Sequence, residues 1–148
     1  MKVLFWVGRS FDDLRGFPPR AKHLAGLELF LVQRHPVDIR AGRGGPVMKT
    51  SIKRSSGNVF VDLGFDAEEA EHLRIRASMM AELRRVIETR GLTQVDAAKL
   101  FHVTQPRVSN LVRGRIDLFS IDTLVEMLSR AGVRIQLVMS PGKKKRIA

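Results

Sequence analysis

The side chains best suited to chemistry in this 148-residue chain stand close together near its C-terminal third. Gln105, Arg107, Ser109 and Asn110 follow one another on a short polar stretch. Arginine can bond guanine through two donors at once, glutamine and asparagine can do the same for adenine, and serine can bond either base. Carried outward on one helix, this set could read base edges in the major groove, each good pair discriminating by about 1–3 kcal/mol. Thr93, Gln94, Thr104 and Arg113 fall at the ends of the same stretch. Side chains there, together with the free N–H groups at helix starts, suit phosphate contacts that fix docking without reading sequence. The bland alternative is a set of solvated polar faces on a helical bundle. Two capped short helices, a small residue at their crossing and a basic excess together favour the first reading.

Those side chains need two short helices to carry them. Thr93 is placed to cap a helix over about Gln94–Phe101, and Thr104 to cap another running to roughly Arg113. Pro106 is tolerated in the first turn of the second, where its missing N–H has no helical partner anyway. Val95, Ala98, Leu100, Val103, Val108 and Leu111 are the expected packing residues, and His102 occupies the tight turn, where positive φ is needed. Upstream, Ser55-Ser56-Gly57-Asn58 signals a turn before the apolar Val59, Phe60, Val61 and Leu63. Asp66 with Glu69 fits a capping box, and a long helix then runs to about Arg90. Leu73, Ala77, Met80, Leu83 (or Arg84) and Ile87 line one side of it, and Gly91 closes it in left-handed geometry. Downstream, Ser120 opens a helix ending near Ala131-Gly132. Val133, Ile135, Leu137 and Met139 alternate with other residues, predicting a short strand that either meets a second copy of the chain or closes against Val59–Leu63.

The N-terminal part is less complete. Val3–Val7 reads as a buried strand with Trp6 a core residue, Ser10 as a cap for a turn carrying Asp12 and Asp13, and Arg20–Gln33 as an amphipathic helix bearing Leu24, Leu27, Phe30 and Leu31. A lone strand leaves its backbone groups unpaired, so this piece needs a partner. Arg34–Lys53, with Pro36, Pro46 and the Gly42–Gly45 cluster, reads as a linker, and 141–148, with Lys143–Arg146, as a basic tail.

Composition narrows the function. Lys and Arg number 26 against 15 Asp and Glu, a net +11, which points to polyanionic partners. Residues 1–47 contribute eight basic and four acidic side chains (+4), the remainder eighteen and eleven (+7). With no cysteine, disulfide scaffolds, thiolate catalysis and thiolate zinc sites are excluded, and the expected setting is the reducing cytoplasm. No apolar run spans a membrane and the first residues do not read as a signal peptide. His23, His35, His72 and His102 show no metal-ligand spacing, and Gly42–Gly45 lacks the Lys-Ser/Thr of a phosphate loop. No catalytic set, metal or cofactor is expected.

The stretch Gly91-Leu92-Thr93-Gln94 through Val108-Ser109-Asn110-Leu111-Val112-Arg113-Gly114 resembles the Xre/Cro-type helix-turn-helix, in its HigA-like antitoxin branch. The likeness extends upstream to Ser56-Gly57-Asn58-Val59-Phe60-Val61-Asp62-Leu63-Gly64 and downstream to Asp117–Leu124, covering about 54–140. It implies a mainly α, lambda-repressor-like bundle with the motif at 93–113. It also implies a homodimeric repressor that binds operator double-stranded DNA and neutralises a RelE/HigB-like toxin. His102 departs from the Gly common in such turns. Leu4-Phe5-Trp6-Val7-Gly8-Arg9-Ser10, Asp12–Pro18 and Leu29–Gln33 resemble the opening of a HigB/RelE-like toxin, a ribosome-dependent mRNA endonuclease family, over about 1–33. After Gln33 that pattern stops, and the chain has no tyrosine, so the expected arrangement is a small incomplete α/β segment joined to an antitoxin. A residual mRNA interferase and a non-DNA interaction protein are the competing readings. In the second, the toxin-like piece docks on the chain's own antitoxin region or competes for a toxin encoded elsewhere.

Overall fold

A computed structural model of the chain describes residues 4–7, 9–34 and 52–142. His35, the Gly42–Gly45 cluster and the Lys143–Arg146 run lie outside them. Strand β1 (Phe5–Val7) leads to α1 (Ser10–Arg15) and α2 (Pro19–Arg34). Strand β2 (Ile52–Arg54) precedes α3 (Val59–Asp62), α4 (Ala67–Thr89), α5 (Gln94–Phe101), α6 (Gln105–Val112), a 3-10 turn (Ile116–Leu118) and α7 (Ile121–Arg130).

Helix α4 is the axis. Asp66 accepts a bond from the Glu69 N–H at 2.8 Å, as its capping role requires. Leu73, Ala77, Met80 and Leu83 are fully buried, and Met79, Ala81 and Val86 are buried as well. A single apolar stripe serves a helix packed on one side, whereas α4 meets α2, α3, α6 and α7. Asn58 caps α3 by accepting from the Phe60 N–H at 3.0 Å, so the apolar Val59–Leu63 run is largely helical.

The partner that β1 needs straddles the end of the stretch read as linker. Phe5 pairs with Arg54, Trp6 with Lys53 and Val7 with Ile52 in an antiparallel register. Three-residue strands carry too little alternation to announce themselves in sequence. Buried Trp6 donates its indole N–H to buried Asp62 at 3.1 Å; the Ser55 hydroxyl donates to the same carboxylate, and the Ser56 N–H to its other oxygen at 3.1 Å. Three donors leave that buried carboxylate satisfied. Leu27 and Phe30 of α2 are buried in the same core as α4. A Cβ on Gly26 would stand 2.4 Å from the Phe60 ring, so glycine is what allows α2 to lie this close to α3.

Two further expectations are corrected. Ser10 caps no helix: its hydroxyl donates to the Val7 carbonyl at 2.9 Å, and Arg9 holds the cap position without a side-chain bond. Val133–Met139 forms no strand. Val133 and Ile135 lie against the edge of the core, but Leu137, Val138 and Met139 are 76%, 95% and 91% exposed. The alternation has a physical basis in its first half, and what the segment lacks is a ladder partner within the described residues. The small sheet of this mainly α fold therefore lies on the N-terminal side. Among the described residues, no helix is long and apolar enough to cross a membrane.

Candidate nucleic-acid interface

Helix α5 begins where Thr93 accepts the Asp96 N–H at 3.1 Å. It buries Ala97, Ala98 and Phe101, while Val95 is 47% exposed, opposite to the expectation that it packs. On an eight-residue helix one wrong anchor rotates the whole assumed face, and Phe101 is the anchor that sets it here. His102 then adopts φ 54° and ψ 45°, the left-handed conformation. The Val103 N–H bonds back to Ala98 at 3.0 Å and closes the turn.

Thr104 occupies the cap position of α6 in extended geometry, but its hydroxyl makes no capping bond. Its carbonyl accepts from Arg107 at 3.1 Å and Val108 at 3.2 Å, which leaves the hydroxyl uncommitted to the cap. Val108 and Leu111 are buried and fix the inner face of α6. Helical geometry then sends Pro106, Ser109, Asn110 and Arg113 to the side opposite that face, with Gln105 and Arg107 on its two flanks. Gln105, Thr104 and Arg113 are exposed, and Gln94, Arg107, Ser109 and Asn110 half-buried. Six of the eight expected residues lie on α6 and its two ends, while Thr93 and Gln94 stand at the start of α5, and Arg107 is not the most outward member.

Arg107 is held instead. Its guanidinium lies 4.8 Å from the centroid of the buried Phe119 ring. A guanidinium over an aromatic face is attracted to it and keeps N–H donors free to bond other groups. An arginine steadied this way loses less rotamer freedom when it bonds a base edge.

Beyond α6 the chain turns at Gly114, whose φ of 75° suits glycine and whose missing side chain makes room for Leu27 of α2. A Cβ there would stand 2.9 Å from the Leu27 methyl. Between this turn and α2 lies a cleft of about 260 Å³, lined by Arg20, His23, Leu24, Arg113, Arg115 and Asp117 among others. Sequence reading found Arg113 but not Arg20 or Arg115. Nothing local marks Arg20, which joins the site only through the packing of α2.

A family model for a helix-turn-helix domain matches residues 59–140. The chain belongs to that family. No curated protein matches it. A helix-turn-helix domain points to double-stranded DNA binding in a regulatory role, and the matched stretch holds α3 to α7.

Within residues 59–140 eleven basic side chains balance eleven acidic ones, and several of the arginines are structural. Arg76 donates to the Ile116 and Phe119 carbonyls, Arg90 to Ala131 at 2.8 Å and Arg130 to Phe101 at 3.1 Å, tying the bundle together. Arg74 and Arg85 pair with Glu71 and Glu82 on α4 and hold those carboxyls below the usual range by hydrogen bonding. Arg107 and Arg113 take no part in those bonds. Among the described residues no His, Cys, Asp and Glu cluster is arranged to hold a metal. His23 stacks on Phe65 at 5.0 Å, and His72 stands exposed on α4.

Proposed function

We propose that this protein is a sequence-specific transcriptional repressor of Xre type, the antitoxin of a type II toxin–antitoxin pair, acting by binding rather than catalysis. It binds an inverted-repeat operator as a homodimer, with α6 in the major groove and recognition helices about 34 Å apart, one DNA turn. The observation that carries this reading is α6 itself: a short helix anchored by Val108 and Leu111, with Ser109, Asn110 and Gln105 turned away from the core and Arg107 steadied on Phe119. Gln105, Arg107, Ser109 and Asn110 read bases, while Thr93, Gln94, Thr104 and Arg113 hold phosphates. The bare Leu137–Met139 segment supplies the contact with the second copy, and the resemblance names a RelE/HigB-like toxin as the further partner.

The test is a gel-shift titration of the full chain on DNA from just upstream of its own gene, at two salt concentrations, with scrambled competitor. Binding that survives competitor at an inverted repeat is expected. Arg107→Ala should relax preference at one base position by about 1–3 kcal/mol. Competitor that removes the protein from both DNAs equally would sink the repressor reading.

One observation favours a second reading of the N-terminal segment. Trp6, Leu27 and Phe30 are buried in the same core as the helix-turn-helix domain, which suits a toxin-like piece docked on its own antitoxin region. That arrangement predicts that the full chain captures no intact RelE/HigB-like toxin, whereas a neutralising antitoxin captures it.

A further inference from the structure

We infer that a DNA backbone phosphate seats in the cleft between α2 and the turn after α6, so that α2, which lies outside the matched domain, supplies Arg20 as a clamp on the duplex. The inference rests on the DNA-binding reading of α6. A helix lying in the major groove, about 12 Å wide, is flanked by backbone on both sides. The turn that leaves α6 through Arg113, Gly114 and Arg115 is therefore placed to meet one of them.

The charge around the cleft favours an anion. Three arginines, Arg20, Arg113 and Arg115, are among its lining residues against one acidic residue, Asp117. Arg20 stands 3.8 Å from Asp117, close enough to be positioned and too far for a strong hydrogen bond. Glu28, the other carboxylate near Gly114, is engaged by Arg84 at 3.3 Å. His23 lines the same cleft, and both of its ring nitrogens are buried with no protein hydrogen-bond partner. Gly114 brings backbone to the wall where any side chain would collide with Leu27. The volume of about 260 Å³ leaves room for a phosphate with its oxygens toward the arginines.

The experiment follows the affinity of the full chain for duplex DNA across a salt series. Each phosphate contact contributes about 0.9 to the slope of log affinity against log salt. Arg20→Ala should lower that slope by about 0.9, weakening binding roughly eightfold near 0.1 M salt, while Arg20→Lys keeps most of it. Arg74→Ala makes the same change in net charge on α4 and should leave the slope at the wild-type value. A slope for Arg20→Ala that matches Arg74→Ala overturns the assignment. Inorganic phosphate gives the other arm. If millimolar phosphate raises the melting temperature of the wild type but not of Arg20→Ala, and the DNA slope is unchanged, the cleft takes a free phosphate and the DNA clamp is overturned. Loss of preference for upstream over scrambled DNA would sink the operator reading alone. The slope on either duplex still tests the cleft, because phosphate contacts carry no sequence information.

Discussion

Residues 93–113 and residues 4–34 reach their structures by opposite routes. The first stretch is built from short-range instructions. Thr93 caps α5 three residues away, His102 turns the chain, and Val108 with Leu111 sets one face of α6. The second has almost none of this: α1 has no side-chain cap, β1 finds its strand partner beyond residue 50, and Trp6 finds its acceptor at Asp62. The lesson is that a segment with few local signals of its own can be held by distant parts of the chain, here β2 and the domain that follows it. What looks incomplete as a sequence is complete as an arm on α3 and α4.

Breaking the arm should have the largest effect. Leu27→Ala removes a fully buried side chain that presses on Gly114, and should cost about 2–5 kcal/mol in urea denaturation followed by circular dichroism. A single cooperative transition at lower urea is expected. An unchanged midpoint for the helix signal would show that arm and domain are separate units. Within the motif the comparison is finer. Thr93→Ala should cost about 1 kcal/mol, because its hydroxyl accepts the Asp96 N–H. Thr104→Ala should cost much less, because its hydroxyl caps nothing. Equal losses for the two would mean that both caps act in solution.

The smallest effect lies at the seam. Burial lowers the pKa of His23 from its ordinary 6.5, while Asp117 and Glu69 oppose the shift. As pH falls below about 6.5 the unfolded chain takes up that proton first, so stability present at neutral pH declines towards acid. His23→Phe, which keeps the stack on Phe65, should flatten this part of the stability profile. A wild-type profile already flat between pH 7 and 5 would remove His23 from that role.

How far the fold could be read in advance follows the same division. The capped ends of α4, α5 and α7 were legible, because a cap and its N–H lie three residues apart. The inner face of α6 was legible from Val108 and Leu111. Val95 was assigned to the wrong face because two neighbouring alanines and a phenylalanine outweigh one valine. The Val133–Met139 alternation was real as far as Ile135, but alternation alone cannot supply a strand partner. Gln105, Arg107, Ser109 and Asn110 were found through side-chain chemistry. The support of Phe119 beneath Arg107 joins two residues on either side of the turn after α6, which residue spacing does not report. Arg20 was out of reach because it joins the cleft only through the packing of α2.

The chain contains one tryptophan and no tyrosine, so nearly all of its near-ultraviolet fluorescence comes from Trp6. That indole is 4% exposed, lies edge-on to Phe11 at 5.7 Å and is tethered to Asp62 at the boundary between arm and domain. The protein thus carries an intrinsic optical gauge at one of the contacts between its two regions. Emission that shifts to the red while the helix signal holds would report the arm lifting away, and it would do so on the unlabelled full chain, with or without DNA.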